Sequence, residues 1–188
     1  MLNFPNYLTL IRIATIPFFL IMLFSRFYTE ALLIFLVGAI TDALDGPVAR
    51  LTNQRTRLGA YLDPLADKLL IISSLVVLSL IGAIPAWLTI LVLSRDVIVT
   101  AGYGAIYFLF QEQMDIQPSP LGKINTFLLL VMISVVLVSL YKPDMIPLYA
   151  PFYLFLLSAV TTVISGLQYV YRGLLWFQER APIQPGTS

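Results

Sequence analysis

The sequence predicts an all-α integral membrane protein, a bundle of six transmembrane helices. Of its 188 residues, 59% are hydrophobic and only 11% are charged, and the mean hydropathy is +0.90. These values lie outside the range of ordinary soluble domains. The apolar residues also form six stretches, each near the roughly 20 residues that a helix needs to cross the hydrocarbon core. We therefore expect one membrane domain over residues 1–188, with a short polar tail at 181–188.

The helices are predicted in order at 7–24, 29–49, 60–80, 86–110, 121–140 and 148–171. Turn-forming or helix-breaking residues separate them, at 25–26, 52–54, 82–85, 111–120 and 141–144. Pro17 lies inside the first helix, where a packed bundle tolerates it.

Lysine and arginine are distributed unevenly between the two ends of this bundle. Two cations, Arg26 and Lys142, fall on one side, and six fall on the other: Arg50, Arg55, Arg57, Lys123, Arg172 and Arg180. Because short cytoplasmic loops carry the excess of Lys and Arg, both termini and the connection between helices two and three are predicted to face the cytoplasm. The expected location is the cytoplasmic membrane.

Composition also limits the chemistry. The chain contains no cysteine and no histidine, and its net charge is +1. Disulfides, thiolate or imidazole metal sites and cysteine nucleophiles are therefore excluded, and nothing in the charge pattern favours nucleic acid as a partner. Any metal would be held by oxygen, which favours hard cations such as Mg²⁺ or Mn²⁺.

Four of the ten acidic residues lie in two pairs at helical spacing. Asp42 and Asp45 fall near the end of predicted helix two, and Asp63 and Asp67 fall at the start of helix three. Residues three or four apart share a helix face, and carboxylates at membrane depth are costly unless they are paired, hydrated or bound to cations. The pattern therefore predicts an active site at the cytoplasmic end of helices two and three, with two divalent cations that neutralise the four carboxylates.

Small and basic residues lie between the two pairs. Gly46, Ala49 and Gly59 add no bulk, which permits a close approach of helices or of a ligand. Arg50 carries a planar donor fork that suits phosphate. Considered singly, the small residues could equally be packing positions and Arg50 a membrane-interface anchor. Together with four aspartates they favour a site that binds phosphate groups.

Asp42-x2-Asp45-Gly46-x2-Ala49-Arg50-x8-Gly59-x3-Asp63-x3-Asp67 resembles the signature of the CDP-alcohol phosphotransferase family without a departure. The N-terminal Pro5-Asn6-Tyr7-Leu8-Thr9-Leu10-Ile11-Arg12 is also similar to the opening of bacterial phosphatidyltransferases. The resemblance covers most of the chain.

This resemblance implies transfer of a phosphatidyl group from CDP-diacylglycerol to an alcohol, with release of CMP. It makes Asp42, Asp45 and Asp63 metal ligands, and Asp67 the catalytic base and a candidate ligand of a second ion. Both aspartates of the first pair and the small and basic residues would border the CDP moiety: Asp42, Asp45, Gly46, Ala49, Arg50 and Gly59. A homodimer is a further expectation from the family.

The acceptor pocket is predicted from cations elsewhere in the chain. Arg95 and Asp96 form an adjacent ionisable pair inside predicted helix four, which is functional by default at membrane depth, although a structural pair between helices is the alternative. Lys123, at the start of helix five, and Arg12 are further candidates for binding an acceptor phosphate. A snorkelling interface lysine is the alternative for Lys123.

The segments around these cations bear on the acceptor. Ser94-Arg95-Asp96-Val97 and Gly122-Lys123-Ile124-Asn125-Thr126 are more similar to the cardiolipin synthases of the family than to its phosphatidylglycerolphosphate synthases, which carry two additional cations there. The sequence therefore favours phosphatidylglycerol as acceptor, with glycerol 3-phosphate as the alternative. A divalent cation transporter is a more distant alternative, since carboxylates also line cation pores.

Overall fold

The computed structural model describes the backbone of residues 4–51, 57–110 and 120–180, and side chains within 11–41, 65–102, 104–105, 108 and 120–178. Over this part the chain forms six α-helices and one 3-10 turn, with no strand. The elements are α1 (Phe4–Phe24), α2 (Tyr28–Leu51), α3 (Arg57–Leu80), α4 (Ala86–Phe110), α5 (Pro120–Tyr141), η1 (Pro143–Met145) and α6 (Ala150–Arg180). The all-α prediction is confirmed for these residues. The breaks at 52–54 and 111–119 and the tail at 181–188 lie outside them.

The helices before the first and third breaks, α1 and α3, end with the same pattern of backbone hydrogen bonds. At the end of α1, Arg26 N–H donates to Leu23 O and Phe27 N–H donates to Met22 O, with Arg26 at φ 64°. After α3, Gly82 N–H donates to Ser79 O and Ala83 N–H donates to Leu78 O, with Gly82 at φ 79°. Both are Schellman caps, which satisfy the last carbonyls of a helix through a left-handed residue.

The predicted bounds of helix six were wrong at both ends. The helix begins at Ala150 instead of residue 148, and Ala150 N–H donates to Pro147 O at 2.9 Å. Pro147 precedes the helix, and its nitrogen carries no N–H that could donate. Pro151 lies in the first turn, where no N–H donor is needed, so it is compatible with a helix that begins at Ala150. At the other end the helix continues to Arg180. Arg172 ends the apolar run, but a charged residue does not break the backbone hydrogen bonds of a helix.

Hydrophobic side chains form a core where the helices meet. Helix α1 packs against α2 and α3, α5 packs against α6 and α2, and α4 packs mainly against α6. Phe19 of α1 and Phe35 of α2 are fully buried, with ring centroids 5.7 Å apart. Leu75 of α3 and Leu137 of α5 belong to the same cluster. Both helices that carry the aspartate motif, α2 and α3, therefore pack against α1 and α5.

Apolar side chains also cover much of the outer surface. Phe18, Ile40 and Phe127 are among the large hydrophobic residues that are more than half exposed, as expected for surfaces that face lipid. Within the described part of the chain, Pro120–Tyr141 and Ala150–Gln178 are long and apolar enough to cross a membrane, while Ile11–Phe24 and Tyr28–Thr41 are apolar but shorter. The number of membrane spans stays a prediction.

Candidate active site

The aspartate motif lies on the last part of α2 and the first part of α3, both of which are helical as predicted. Asp67 is the motif residue whose side chain the structure describes. The other predicted metal and nucleotide ligands lie outside the described side chains: Asp42, Asp45, Gly46, Ala49, Arg50, Gly59 and Asp63. Among the side chains that are described, no group of three acidic residues could hold a metal ion.

Helices α2 and α3 approach each other next to the motif. A methyl group added at Gly38 of α2 would lie 3.8 Å from Leu70 Cδ2 of α3, which is van der Waals distance. Gly38 comes one turn before Asp42, and Leu70 comes one turn after Asp67. The two helices that carry the aspartates are therefore in contact within one turn of both pairs.

Asp67 forms an ion pair with a buried cation from the N-terminal helix. Arg12 Nη1 donates to Asp67 Oδ1 at 3.1 Å. The side chain of Arg12 is 3% exposed and that of Asp67 is 35% exposed, so the carboxylate keeps access to solvent or ligand while the guanidinium does not. The sequence assigned Arg12 to the acceptor. The structure brings it to the predicted base, a contact across 55 residues that no local pattern could reveal. Its role toward the acceptor stays a prediction.

Arg95 is held by a polar cluster between α4 and α6. Its Nη1 donates to Asp96 Oδ1 and its Nη2 donates to Ser165 Oγ, both at 2.6 Å. The guanidinium carbon lies 5.2 Å from the ring centroid of Tyr169, within the range of a cation–π contact. A methyl group added at Gly166 would come within 3.2 Å of Arg95 Cγ. One turn of α6 thus fits closely around this side chain.

The sequence did not predict the residues of α6 that contact Arg95. Their signal is a row of hydroxyl residues at helical spacing, Ser158, Thr162 and Ser165, all fully buried. Residues three and four apart lie on one helix face, so the row marks the face that α6 turns toward other helices. A hydroxyl residue within an apolar helix is a weaker indication of a functional site than a charged residue. The sequence therefore predicted Arg95 and Asp96 but not these hydroxyl residues.

A cavity of about 410 Å³ lies between α3 and α4. Lys68 and Ile72 of α3 line one wall, and Asp96 and Thr100 of α4 line the other. Lys68 Nζ lies 3.5 Å from Thr100 Oγ1. Lys68 directly follows Asp67 in the chain, so an additional cation, which was not predicted for the site, is adjacent in sequence to the predicted base.

Lys123 and Asn125 lie at the start of α5 with opposite surroundings. Lys123 is exposed. Asn125 is 2% exposed, and its Oδ1 accepts hydrogen bonds from Thr161 and Thr162 of α6, each at 2.9 Å. The position at which the sequence lacks a second cation therefore faces the interior of the bundle and ties α5 to α6.

These features define a helical membrane protein in which the described charged and polar residues meet between α1 and α3 and between α4 and α6. Residues 2–165 match the family model of the CDP-alcohol phosphatidyltransferases. The chain belongs to this family, and it is a phosphatidyl-transferring enzyme. The resemblance found in the sequence is confirmed, and the transporter alternative is set aside.

Curated relatives match nearly the full length of the chain. A probable phosphatidylglycerophosphate synthase of Mycobacterium tuberculosis is 37% identical over 178 residues, which cover 92% of this chain and 82% of the relative. Two enzymes named CDP-diacylglycerol–glycerol-3-phosphate 3-phosphatidyltransferase are also similar. The one from Bacillus subtilis is 30% identical, covering 90% of this chain and 94% of its own length. The one from Escherichia coli K12 is 35% identical, covering 89% and 93%.

Proposed function

We propose that this enzyme transfers the phosphatidyl group of CDP-diacylglycerol to a hydroxyl group of glycerol 3-phosphate and releases CMP. The observation that carries the proposal is the match, over about nine-tenths of the chain, to relatives named for this reaction. The sequence favoured phosphatidylglycerol as acceptor because two cations are missing. The comparisons favour the alternative, glycerol 3-phosphate.

The missing cations are a weaker argument once the structure is considered. Asn125, at one of the positions where the phosphatidylglycerolphosphate synthases carry an additional cation, is buried against Thr161 and Thr162. Lys68 meanwhile adds a cation beside the α3–α4 cavity. Counting cations by sequence position does not show which of them reach a common pocket, so their number near Arg95 does not decide between a phosphate monoester and a diester.

The proposed reaction is a displacement at phosphorus. The acceptor hydroxyl oxygen attacks the phosphorus that carries diacylglycerol, the phosphoanhydride bond to CMP breaks, and the hydroxyl proton passes to Asp67. A general base must lie within hydrogen-bond reach of the proton that it takes. The partial exposure of the Asp67 carboxylate, one oxygen of which accepts a hydrogen bond from Arg12 Nη1, supports this proposed role.

Metal ions fit the donor set of the motif. The chain offers no histidine or cysteine, and carboxylate oxygens are the ligands that Mg²⁺ and Mn²⁺ prefer. On α2, positions 42 and 45 lie four and seven residues after Gly38. On α3, positions 63 and 67 lie seven and three residues before Leu70. The helical repeat places each set on one face, so the contact of Gly38 with Leu70 supports convergence of both pairs. Bound there, two cations would neutralise the diphosphate and the leaving CMP.

Three cations are proposed for the acceptor phosphate: Arg95, Lys68 and Lys123. Arg95 is already oriented by Asp96, Ser165 and Tyr169, which lowers the entropy cost of ordering its guanidinium when an anion binds beside it. Asp96 and Lys68 line the same cavity, so a polar ligand there would meet both charges. We place this pocket, the motif and both termini on the cytoplasmic side of a bundle of six membrane spans.

The test is turnover of the purified protein in detergent with CDP-diacylglycerol and Mg²⁺ or Mn²⁺, one acceptor at a time. CMP and the lipid product are measured with glycerol 3-phosphate, phosphatidylglycerol, serine and inositol phosphate. We expect phosphatidylglycerol phosphate with the first acceptor only. Formation of cardiolipin with phosphatidylglycerol alone would reverse the choice of acceptor, and no CMP with any alcohol would overturn the proposal.

A further inference from the structure

The connection between α5 and α6 carries large apolar side chains that the bundle does not cover. Met145 is 63% exposed and Leu148 is 97% exposed. Tyr149, which directly follows, is also more than half exposed. An exposed apolar patch of this kind marks contact with a membrane or with another protein. The connection is therefore expected to meet a partner that removes it from water.

Aromatic rings extend this patch along the first turns of α6. Phe152 and Tyr153 are both more than half exposed. The ring of Tyr153 meets the rings of Tyr149 and Phe152 edge-to-face, with centroids 6.2 and 6.0 Å apart. Tyrosine combines an apolar ring with a polar hydroxyl, which suits a boundary that is apolar on one side and wet on the other. The type of side chain thus favours a membrane boundary over the apolar core of a protein interface.

A cation lies at the polar edge of the patch. Lys142 Nζ is 5.4 Å from the ring centroid of Tyr141, and both residues are exposed. Lysine at the end of a membrane helix places its stem along apolar surface and its ammonium group among the head groups. Lys142 is therefore positioned to meet a lipid phosphate while Leu148 contacts acyl chains.

The other connections at this end also carry exposed aromatic rings. In the proposed bundle of six spans, the α1–α2, α3–α4 and α5–α6 connections share the end opposite to the motif. Phe24 and Phe27 are exposed around the first of these turns, and Trp87 is exposed in the first turn of α4. Because Trp and Tyr are enriched at both boundaries of a bilayer, the patch is part of an aromatic belt around this end of the bundle.

A second aromatic position on α6 matches the thickness of a bilayer. Tyr171 is exposed and directly precedes Arg172. Tyr149 and Tyr171 are 22 residues apart, which is about 33 Å along a helix. The hydrocarbon core of a bilayer is about 30 Å thick. The two tyrosines thus have the spacing of the two boundaries of one bilayer.

We infer that the α5–α6 connection lies in the phospholipid head-group layer of the leaflet opposite to the motif, with Met145 and Leu148 inserted toward the acyl chains. The partner of this surface is lipid. A second copy of the chain or another protein is the competing partner, and it would shield the same side chains from lipid as well as from water.

This anchoring fixes the depth of the Arg95 cluster, a consequence that rests on the proposed function. Ser165, which accepts a hydrogen bond from Arg95, follows Tyr149 by 16 residues, or about 24 Å along the helix. With Tyr149 at one boundary, Ser165 lies about 6 Å from the other boundary of a core about 30 Å thick. A water-soluble phosphate ester could then reach Arg95 from the motif side.

The test uses nitroxide labels, because the chain has no cysteine and each introduced cysteine is unique. Four variants are labelled and placed in nanodiscs of phosphatidylcholine and phosphatidylglycerol: Asp144→Cys, Leu148→Cys, Val160→Cys and Tyr171→Cys. Electron paramagnetic resonance then gives the ratio of the accessibility to oxygen, which concentrates in lipid, to that of a water-soluble nickel complex. All four residues are exposed, so the labels should not disturb packing.

We expect the oxygen-to-nickel ratio to be lowest at Asp144, higher at Leu148, highest at Val160 and low again at Tyr171. A ratio at Leu148 equal to that at Asp144 would place the connection in water, and protection of Leu148 from both reagents would show that protein covers it. Either result would overturn the inference. A ratio at Tyr171 as high as that at Val160 would remove the depth assigned to Arg95. The depth is measured without substrates, so failure of the proposed reaction is recognised separately by turnover.

A second measurement leaves this connection unchanged. The chain has two tryptophans, so Trp176→Phe leaves Trp87 as the only one. In vesicles of brominated phosphatidylcholine, bromine near the ester end of the acyl chains should quench Trp87 more than bromine near the methyl end. Stronger quenching from the methyl end would place this end of the bundle inside the hydrocarbon, and no quenching from either would place it outside the bilayer; both would contradict the belt.

Discussion

Arg12 of α1 forms an ion pair with Asp67 of the neighbouring helix α3, with its Nη1 3.1 Å from the carboxylate Oδ1. The two residues belong to different sequence segments, the N-terminal helix and the last position of the aspartate motif. Because α1 also packs against α2, this ion pair fixes the predicted base relative to both helices of the motif. Arg12 is thus a positioning residue for Asp67.

The first prediction concerns this ion pair. Removing one partner of a fully buried pair costs about 3–5 kcal/mol. We expect less for Arg12→Met, about 1–2 kcal/mol, because the Asp67 side chain is 35% exposed and solvent screens it. The unfolding temperature and kcat should both fall. In an Arg12→Met and Asp67→Asn double-mutant cycle the effects on stability should not add. Arg26→Met, at an exposed turn residue, is the control, and additive effects would show that the pair is not coupled.

The second prediction tests Asp67 as the base. Asp67→Asn keeps the size of the side chain and its ability to accept a hydrogen bond from Arg12, but it cannot take a proton from the acceptor. General base catalysis contributes about 10²–10⁴-fold, so kcat should fall by about 100-fold or more while binding of CDP-diacylglycerol is still measurable by calorimetry. Asp144→Asn in the exposed η1 turn should be neutral. Turnover within tenfold of wild type would remove Asp67 from this role.

Local patterns predicted the helices and the motif well, because helix periodicity and breakers act over a few residues. The caps at Arg26 and Gly82 fall in the predicted breaks, and the spaced motif of aspartate, glycine, alanine and arginine residues, together with the N-terminal segment, indicated the family. The sequence could not reveal the partner of Arg12 or the hydroxyl residues around Arg95, since these contacts join helices that are far apart in the chain. The sequence argument for phosphatidylglycerol is weak for the same reason, because the surroundings of Asn125 depend on α6.

The third prediction concerns the contacts by which α6 orients Arg95. Ser165→Ala removes the hydrogen bond to Arg95 Nη2, and a hydrogen bond inside a membrane bundle contributes about 0.6–1.7 kcal/mol. We expect the KM for glycerol 3-phosphate to rise about 3- to 15-fold, with the KM for CDP-diacylglycerol and kcat nearly unchanged. A rise in the donor KM instead would place Arg95 at the donor.

Ser158→Ala is the matched control for Ser165→Ala. Ser158 lies on the same helix and is equally buried, and its Oγ has no hydrogen-bond partner among the side chains that the structure describes. Its removal should leave both KM values unchanged. A similar acceptor defect in both variants would indicate a general loosening of α6.

The fourth prediction concerns the proposed cations. An all-oxygen site binds Mg²⁺ and Mn²⁺ reversibly and offers no soft ligand for zinc. Treatment with EDTA should therefore abolish CMP release, and added Mg²⁺ or Mn²⁺ should restore it, with the far-ultraviolet circular dichroism unchanged throughout. Full activity in EDTA, after the residual metal content has been measured by mass spectrometry, would contradict a metal-dependent mechanism.

The fifth prediction concerns Asn125, whose Oδ1 accepts hydrogen bonds from two threonines of α6. Asn125→Leu removes both. Thr161 Oγ1 also lies within hydrogen-bond distance of the carbonyls of Leu157 and Ser158, so most of the cost should come from Thr162, which is fully buried. Since such hydrogen bonds average about 0.6 kcal/mol in membrane proteins, we expect a fall of a few degrees in the unfolding temperature measured in detergent.

Two companion variants separate this contact from a general effect of substitution in α5 and α6. Thr162→Val should destabilise about as much as Asn125→Leu, and their combination should cost little more than either, because both remove the same hydrogen bond. Thr126→Val is the control: Thr126 is exposed, and its hydroxyl donates to Gly122 O within α5. If Thr126→Val lowered the unfolding temperature as much as Asn125→Leu, the loss could not be assigned to the tie between α5 and α6.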